Sequence, residues 1–173
     1  IRLKDDELGF ISPEEFIPIA EKNGSILKIG HFVLESVFDF ISSSKALELG
    51  IRFIEINLSV VQCMQSNLSE EIMAMISKYK VDVSNVNLEI TETEAAYNTD
   101  MLYYNMKALN EKGITFALDD YGTGNAGVNY ILKLPFKIIK IDKEILWSAF
   151  DDPRSMIALK STIQLAKDLN LEI

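Results

Sequence analysis

The alternation of apolar and polar residues along the chain predicts helices and strands that follow one another in turn. Residues 12–15, Ser-Pro-Glu-Glu, are typical of a helix start, because they supply a cap residue, a proline at the first position and a glutamate at the third. This helix is predicted to run to about Lys22 and to end at the Asn-Gly pair 23–24. Ser25 is predicted to cap a second, long helix with one apolar face, which ends at Gly50.

Four strand-helix units are predicted after residue 50. The predicted strands are 51–58, 86–91, 114–119 and 136–142, and the helices that follow them are 68–79, 100–112, one around 126–133, and 154–169. Residues 171–173 are predicted to start another strand. Strands that alternate with helices indicate parallel pairing and right-handed crossovers, so the predicted fold class is α/β.

Oxygen-bearing or charged side chains recur near the carboxyl end of each predicted strand. Because the carboxyl ends of parallel strands converge on one face of a barrel or an open sheet, these side chains are expected to meet there. Scattered turn residues would not keep this spacing, which follows the strand-helix repeat. The residues concerned are Asn57, Glu89, Asp119, Asp120, Lys140 and Asp142.

Asp119 and Asp120 end an apolar strand directly before a glycine-rich turn at 121–124. By themselves they indicate either a metal site or a solvated turn, since Asp and Gly are common turn residues. Carboxylate and amide oxygens without sulfur or imidazole partners suit a hard cation such as Mg²⁺, Mn²⁺ or Ca²⁺. Two adjacent carboxylates could serve two ions, an arrangement common in phosphodiester hydrolysis, and Lys140 would add positive charge or orient the attacking water.

The composition describes a soluble globular protein of 173 residues, 48% hydrophobic and 25% charged. A single cysteine, Cys63, and a single histidine, His31, exclude a disulfide framework and multi-cysteine or two-histidine metal motifs. A net charge of −9 argues against duplex nucleic acid or an anionic membrane as the partner. No apolar run is long enough for a membrane span, so a cytoplasmic location is expected, either alone or as the cytoplasmic part of a larger protein.

Five segments of the chain occur in one known family in the same order and spacing. They are Phe-Ile-Pro-Ile-Ala-Glu at 16–21, Asn-Leu-Ser at 57–59, Glu-Ile-Thr-Glu at 89–92, Asp-Asp-Tyr-Gly-Thr-Gly at 119–124 and Lys-Ile-Asp at 140–142. Over essentially its whole length the chain therefore resembles the EAL-type cyclic di-GMP phosphodiesterase domain. The resemblance implies a (β/α)8 TIM-barrel-like fold and metal-dependent hydrolysis of the bacterial second messenger cyclic di-GMP to linear pGpG.

The resemblance also implies roles for single residues. The residues similar to the family's ligands for one or two Mg²⁺ or Mn²⁺ ions are Asn57, Glu89, Asp119 and Asp120. Lys140 resembles the lysine near the attacking water, and Asp142 resembles a supporting carboxylate of the site. Glu92 resembles the glutamate that steadies the glycine-rich loop, and Arg2 resembles an arginine that contacts the substrate. Glu55 shares the strand parity of Asn57, but no role is predicted for it.

Departures from the family pattern concern mainly the two ends. The chain starts just after the position of the Glu-Ala-Leu signature and stops before the later Glu-Gly-Val-Glu segment, and each of these supplies a metal-site glutamate. Residues 1–173 are therefore predicted to be one EAL-type domain truncated at both ends, with a partial barrel and little or no activity as a fragment. The alternative function is a catalytically inactive receptor for cyclic di-GMP or a protein-interaction module. A homodimer and attached GGDEF or sensor domains are further expected partners.

Overall fold

The computed structural model describes residues 1–95, 100–122 and 128–173. Its six strands in these ranges are β1 (Leu3–Asp5), β2 (Gly9–Ile11), β3 (Ile54–Asn57), β4 (Val86–Thr91), β5 (Thr115–Tyr121) and β6 (Ile138–Ile141). The described helices are α1 (Pro13–Asn23), α2 (Ile26–Ser42), α3 (Ser44–Glu48), α4 (Val60–Cys63), α5 (Leu68–Tyr79), α6 (Glu92–Ala95), α7 (Asp100–Asn110), α8 (Val128–Lys133), α9 (Lys143–Asp151) and α10 (Pro153–Asp168).

Strands β3, β4, β5 and β6 form one parallel sheet in that order, and β1 and β2 form a separate antiparallel hairpin. The predicted α/β class with parallel strands is therefore confirmed. Glu172 makes an isolated parallel bridge to Ile138, so the strand predicted at 171–173 is present as a single bridge. In the described part of the chain, no helix has both the length and the apolar character needed to cross a membrane.

The two faces of the sheet differ in character, and this difference positions the site. One face packs against the helices and contributes Ile56, Leu88, Ile90, Phe116, Leu118 and Ile139 to the buried core. Because successive strand residues point to opposite faces, the other face carries the residues between these apolar ones. Asn57, Glu89, Asp119 and Lys140 lie on that second face.

The first two helices confirm part of the prediction and correct the rest. Ser12 Oγ accepts a hydrogen bond from the Glu14 N–H at 3.3 Å, and Gly24 ends α1 with φ of 77°, as predicted. Ser25 does not cap α2 with its side chain, so that prediction is wrong. The long helix to Gly50 is also wrong, because Ser43 is extended and separates α2 from α3. The hydroxyl of Ser43 donates to the Phe40 carbonyl at 2.5 Å, a local bond that competes with helix continuation.

Several short elements were not predicted from the pattern. The hairpin β1–β2, the one-turn helix α4 and helix α9 each have too few residues, or too little periodicity, to stand out. Helix α9 begins soon after β6, because the Asp142 side chain accepts a hydrogen bond from the Glu144 N–H at 2.7 Å. Asp142 is therefore a helix cap, and β6 ends one residue before it. The predicted start of the helix at Ala126 lies outside the described residues.

Gly30 provides a test of the packing between α2 and α4. A Cβ at this buried position would overlap the side-chain amide of Gln62, whose Oε1 accepts a hydrogen bond from the Ser59 N–H at 3.2 Å. We expect Gly30→Ala to lower the free energy of unfolding by about 1–2 kcal/mol, because overpacking outweighs the better helix propensity of alanine. Urea unfolding measures this loss. The double variant with Gln62→Ala should lose less free energy of unfolding than the sum of the losses in the two single variants. Strictly additive losses would contradict the proposed overlap.

Candidate active site

Four of the predicted strand-end residues, Asn57, Glu89, Asp119 and Lys140, lie together on the polar face of the sheet. Asn57 pairs in register with Glu89, and Asp119 pairs in register with Thr91, two residues beyond Glu89 on β4. Lys140 lies on β6, the next strand beyond β5. Neighbouring strands are separated by about 4.8 Å, so side chains on this face can meet across them.

Lys140 is the centre of this group. Its Nζ donates a hydrogen bond to Glu89 Oε1 and lies 3.5 Å from Asp119 Oδ1 and 3.5 Å from Glu55 Oε2. The side chain of Lys140 therefore points toward the other polar side chains of this face. Three carboxylates from three strands surround one ammonium, and when all are ionised they leave a surplus of two negative charges.

Glu89 is the most buried carboxylate of the group, with 4% of its surface exposed. Burial raises the pKa of Glu89 to about 7, the hydrogen bond with Asp119 adds to this, and the Lys140 ammonium opposes it. Burial lowers the pKa of Lys140, but the hydrogen bond and charge of Glu89, followed by the charges of Asp119 and Glu55, leave that pKa above its ordinary value. Lys140 is therefore a permanent cation, whereas Glu89 titrates near neutrality.

The raised pKa of Glu89 predicts a pH-dependent stability. Between its ordinary value of 4.5 and about 7 the folded chain binds more protons at Glu89 than the unfolded chain does, so the free energy of unfolding should fall as pH rises through this window. Urea unfolding in the presence of a chelator, at a series of pH values from about 5 to 7.5, measures the slope. Glu89→Gln should flatten it, and an unchanged slope in that variant would contradict the assignment.

Asp120 has a backbone conformation that is rare for a residue with a side chain. Its φ is 54°, in the left-handed region, and the β5–β6 register shifts between Leu118 and Tyr121 around it. Burial raises the pKa of Asp120, and the charges of Asp119 and Asp142 act in the same direction. Asp120 thus forms an irregularity within β5 next to Asp119, and its unusual backbone is of the kind found at functional sites.

Glu92 connects the end of β4 to the turn after β5. Its carboxylate, in a side chain with 1% of its surface exposed, accepts a hydrogen bond from the Gly122 N–H at 2.6 Å. Gly122 has φ of 103°, and an added Cβ would overlap Cδ1 of Ile145. The turn therefore requires glycine at this position. The second glycine of the motif, Gly124, lies outside the described residues.

A cavity of about 550 Å³ adjoins the site along the edge of β3. Asn57 is exposed at the carboxyl end of β3 and lines this cavity together with Glu55. Arg2 also lines it, but its guanidinium donates a hydrogen bond to the Ile1 carbonyl at 2.7 Å. The structure thus places Arg2 next to the cavity and gives it no hydrogen bond to the acidic group.

Two contacts of the site were not predicted. Glu55 pairs with Lys140, and its strand parity, shared with Asn57, is the sequence signal that could have identified it. Ser59 Oγ donates a hydrogen bond to Glu21 Oε1 at 2.5 Å, which ties α1 to the segment after β3. Ser59 and Glu21 both belong to segments that carry the family resemblance, but the resemblance does not predict a contact between them.

The donors on this face fit a hard divalent cation by their chemistry. Asn57, Glu89, Asp119 and Asp120 offer only amide and carboxylate oxygens, and the surplus of two negative charges around Lys140 equals the charge of Mg²⁺ or Mn²⁺. Within residues 1–95, 100–122 and 128–173, no three His, Cys, Asp or Glu side chains are grouped closely enough to form a metal site. These residues therefore fit a divalent cation in the type of their donor atoms and in their charge.

Comparisons with known proteins agree with the fold. All 173 residues, 1–173, match the EAL domain family. The cyclic di-GMP phosphodiesterase PA2567 of Pseudomonas aeruginosa is 28% identical over 173 residues, which cover 100% of this chain and 29% of that protein. The bifunctional diguanylate cyclase/cyclic di-GMP phosphodiesterase MucR of the same bacterium is 27% identical over 179 residues, which cover 100% of this chain and 25% of that protein.

A solved structure shows the same fold. The PaMucR phosphodiesterase in complex with c-di-GMP has a TM-score of 0.86 and 28% sequence identity, and the match covers 98% of this chain and 69% of that chain. This chain spans less than a third of the length of the two curated relatives, at 29% and 25%. The match over every residue and the shared fold show that the chain belongs to the EAL domain family.

Proposed function

We propose that the protein hydrolyses cyclic di-GMP to linear pGpG and that this reaction depends on Mg²⁺ or Mn²⁺. The observation that carries the proposal is the group of carboxylates around Lys140 at the ends of parallel strands in an EAL domain. A site that only binds a nucleotide has no chemical need for this many carboxylates beside a fixed ammonium. The names of the relatives, which are cyclic di-GMP phosphodiesterases, supply the substrate.

The metal would be held by Asn57, Glu89, Asp119 and Asp120. When bound, a divalent ion at such oxygens lowers the pKa of water and stabilises charge on the phosphate. In the reaction, the water oxygen bonds to phosphorus, one P–O ester bond breaks, and the released alkoxide takes a proton. The task of the protein is to hold these groups in line.

The other residues of the site position the substrate and the water. We assign Lys140 to orienting the water and to stabilising negative charge on the phosphate, since its ammonium is a permanent cation on the same face. Glu92 would steady the turn after Asp120 through Gly122, and Asp142 would support the site while it caps α9. Arg2 would contact a phosphate from the adjoining cavity.

A receptor that binds cyclic di-GMP without hydrolysing it is the second candidate. The observation that favours it is the position of the Lys140 ammonium, which is already paired with Glu89 and Asp119, two of the proposed metal ligands. A site of this kind could remain metal-free and still bind a nucleotide. The two functions therefore differ in whether a divalent ion changes the chemistry.

Product analysis separates the two functions. The natural protein that contains these 173 residues is incubated with cyclic di-GMP and Mn²⁺, or with a chelator, and the nucleotides are separated by chromatography. The proposed function predicts linear pGpG with Mn²⁺ and intact substrate with the chelator. Binding of cyclic di-GMP with no linear product under either condition would establish the receptor function instead.

A further inference from the structure

We propose that Glu55 is a positioning residue for Lys140, a role that rests on the proposed function. Glu55 lies on β3, two residues before Asn57, and its side chain is partly buried. Its Oε2 lies 3.5 Å from the Nζ of Lys140, which comes from β6 at the other side of the sheet. Among the described residues, Lys140 is the group with which the Glu55 carboxylate forms an ion pair.

The geometry makes this contact a long-range one. Two strands, β4 and β5, lie between the strand of Glu55 and the strand of Lys140. Adjacent strands are about 4.8 Å apart, so the contact spans three strand spacings and depends on the length of both side chains. Glu55 thus contacts the ammonium from the opposite edge of the sheet.

Charge explains why Lys140 needs a partner besides Glu89 and Asp119. In the proposed function both of these carboxylates are committed to a divalent cation, which also repels the ammonium. Glu55 is then the carboxylate of the group that still balances Lys140. It holds the ammonium on the polar face beside the metal ligands, where the attacking water would be oriented.

Glu55→Gln tests this role, because it keeps the size of the side chain and removes its charge. We expect kcat for cyclic di-GMP to fall about tenfold, with KM and the Mn²⁺ dissociation constant within about twofold of wild type, as for a residue that orients a catalytic group. Glu55→Asp should recover part of kcat. Glu111→Gln, at an exposed position directly after α7, removes the same charge elsewhere and should leave all three constants unchanged.

The background of Lys140→Met shows whether Glu55 acts through Lys140. In that background Glu55→Gln should produce no further loss of kcat. An equal loss in both backgrounds, or a Mn²⁺ dissociation constant raised by more than about tenfold, would overturn the proposal, because Glu55 would then act by itself or as a metal ligand.

The positioning of Lys140 by Glu55 and the proposed function can fail separately. If the wild-type protein forms no linear product, the proposed function fails, and the contact is judged from a double-mutant cycle in urea unfolding. A measurable coupling between Glu55→Gln and Lys140→Met supports the positioning contact, and a coupling below detection overturns it.

Discussion

If the proposed function is right, we expect Asp119→Asn to lower the rate of cyclic di-GMP hydrolysis by about a thousandfold, which corresponds to about 4 kcal/mol of transition-state stabilisation. Asparagine has nearly the shape of aspartate, so the polar face of the sheet should keep its packing. The change removes the negative charge that faces Lys140 at 3.5 Å and lies beside Asp120. Initial rates of linear product formation with saturating Mn²⁺ measure the effect.

Asp39→Asn is the matched control for this variant. Asp39 is exposed on α2, so Asp39→Asn removes the same charge at a position on a helix. Its rate should equal that of wild type. An Asp119→Asn protein with more than about a tenth of wild-type activity would show that this carboxylate is not part of the reaction centre.

Gly122→Ala is expected to damage both stability and activity. The left-handed φ of 103° costs an alanine about 1 kcal/mol or more, and the terminal methyl of Ile145 must move away from the new Cβ, which adds about 1 kcal/mol. The turn can relieve this strain by moving away, which breaks the hydrogen bond from the Gly122 N–H to Glu92. We therefore expect the free energy of unfolding in urea to fall by about 2 kcal/mol and kcat to fall at least tenfold.

Gly24→Ala separates the cost of the left-handed backbone from the cost of the overlap with Ile145. Gly24 also has a left-handed φ, of 77°, but an added Cβ at this position would meet no heavy atom within 4 Å. The Gly24→Ala variant should lose only about 1 kcal/mol of its free energy of unfolding and keep full activity. Equal stability losses at Gly24 and Gly122 would contradict the overlap with Ile145.

The fold could be predicted best where the pattern was unambiguous. Strand β4 has the predicted bounds, Val86–Thr91, because apolar residues alternate with Asn87 and Glu89 along it. Helix α5 also has its predicted bounds, Leu68–Tyr79, because its apolar stripe has a helical period. The break between α2 and α3 could not be predicted, since it results from serine hydroxyls that bond to helix carbonyls.

The members of the site could be predicted better than their contacts. The spacing of Asn57, Glu89 and Asp119 follows the strand-helix repeat, so their convergence is a consequence of topology. The ion pair of Lys140 with Glu55 joins β6 to β3 across two intervening strands, and no local pattern in the sequence encodes such a contact. Asp142 was predicted as a site carboxylate, and the structure adds that it caps α9.

The rate of linear pGpG formation by Lys140→Met, measured beside wild type with Mn²⁺, tests most directly that the group around Lys140 is the reaction centre. The ammonium of Lys140 touches three carboxylates of the site, and methionine keeps the length of the side chain without its charge. We expect a rapid wild-type reaction and a rate about a hundredfold lower for the variant. Equal rates for the two proteins would contradict this assignment.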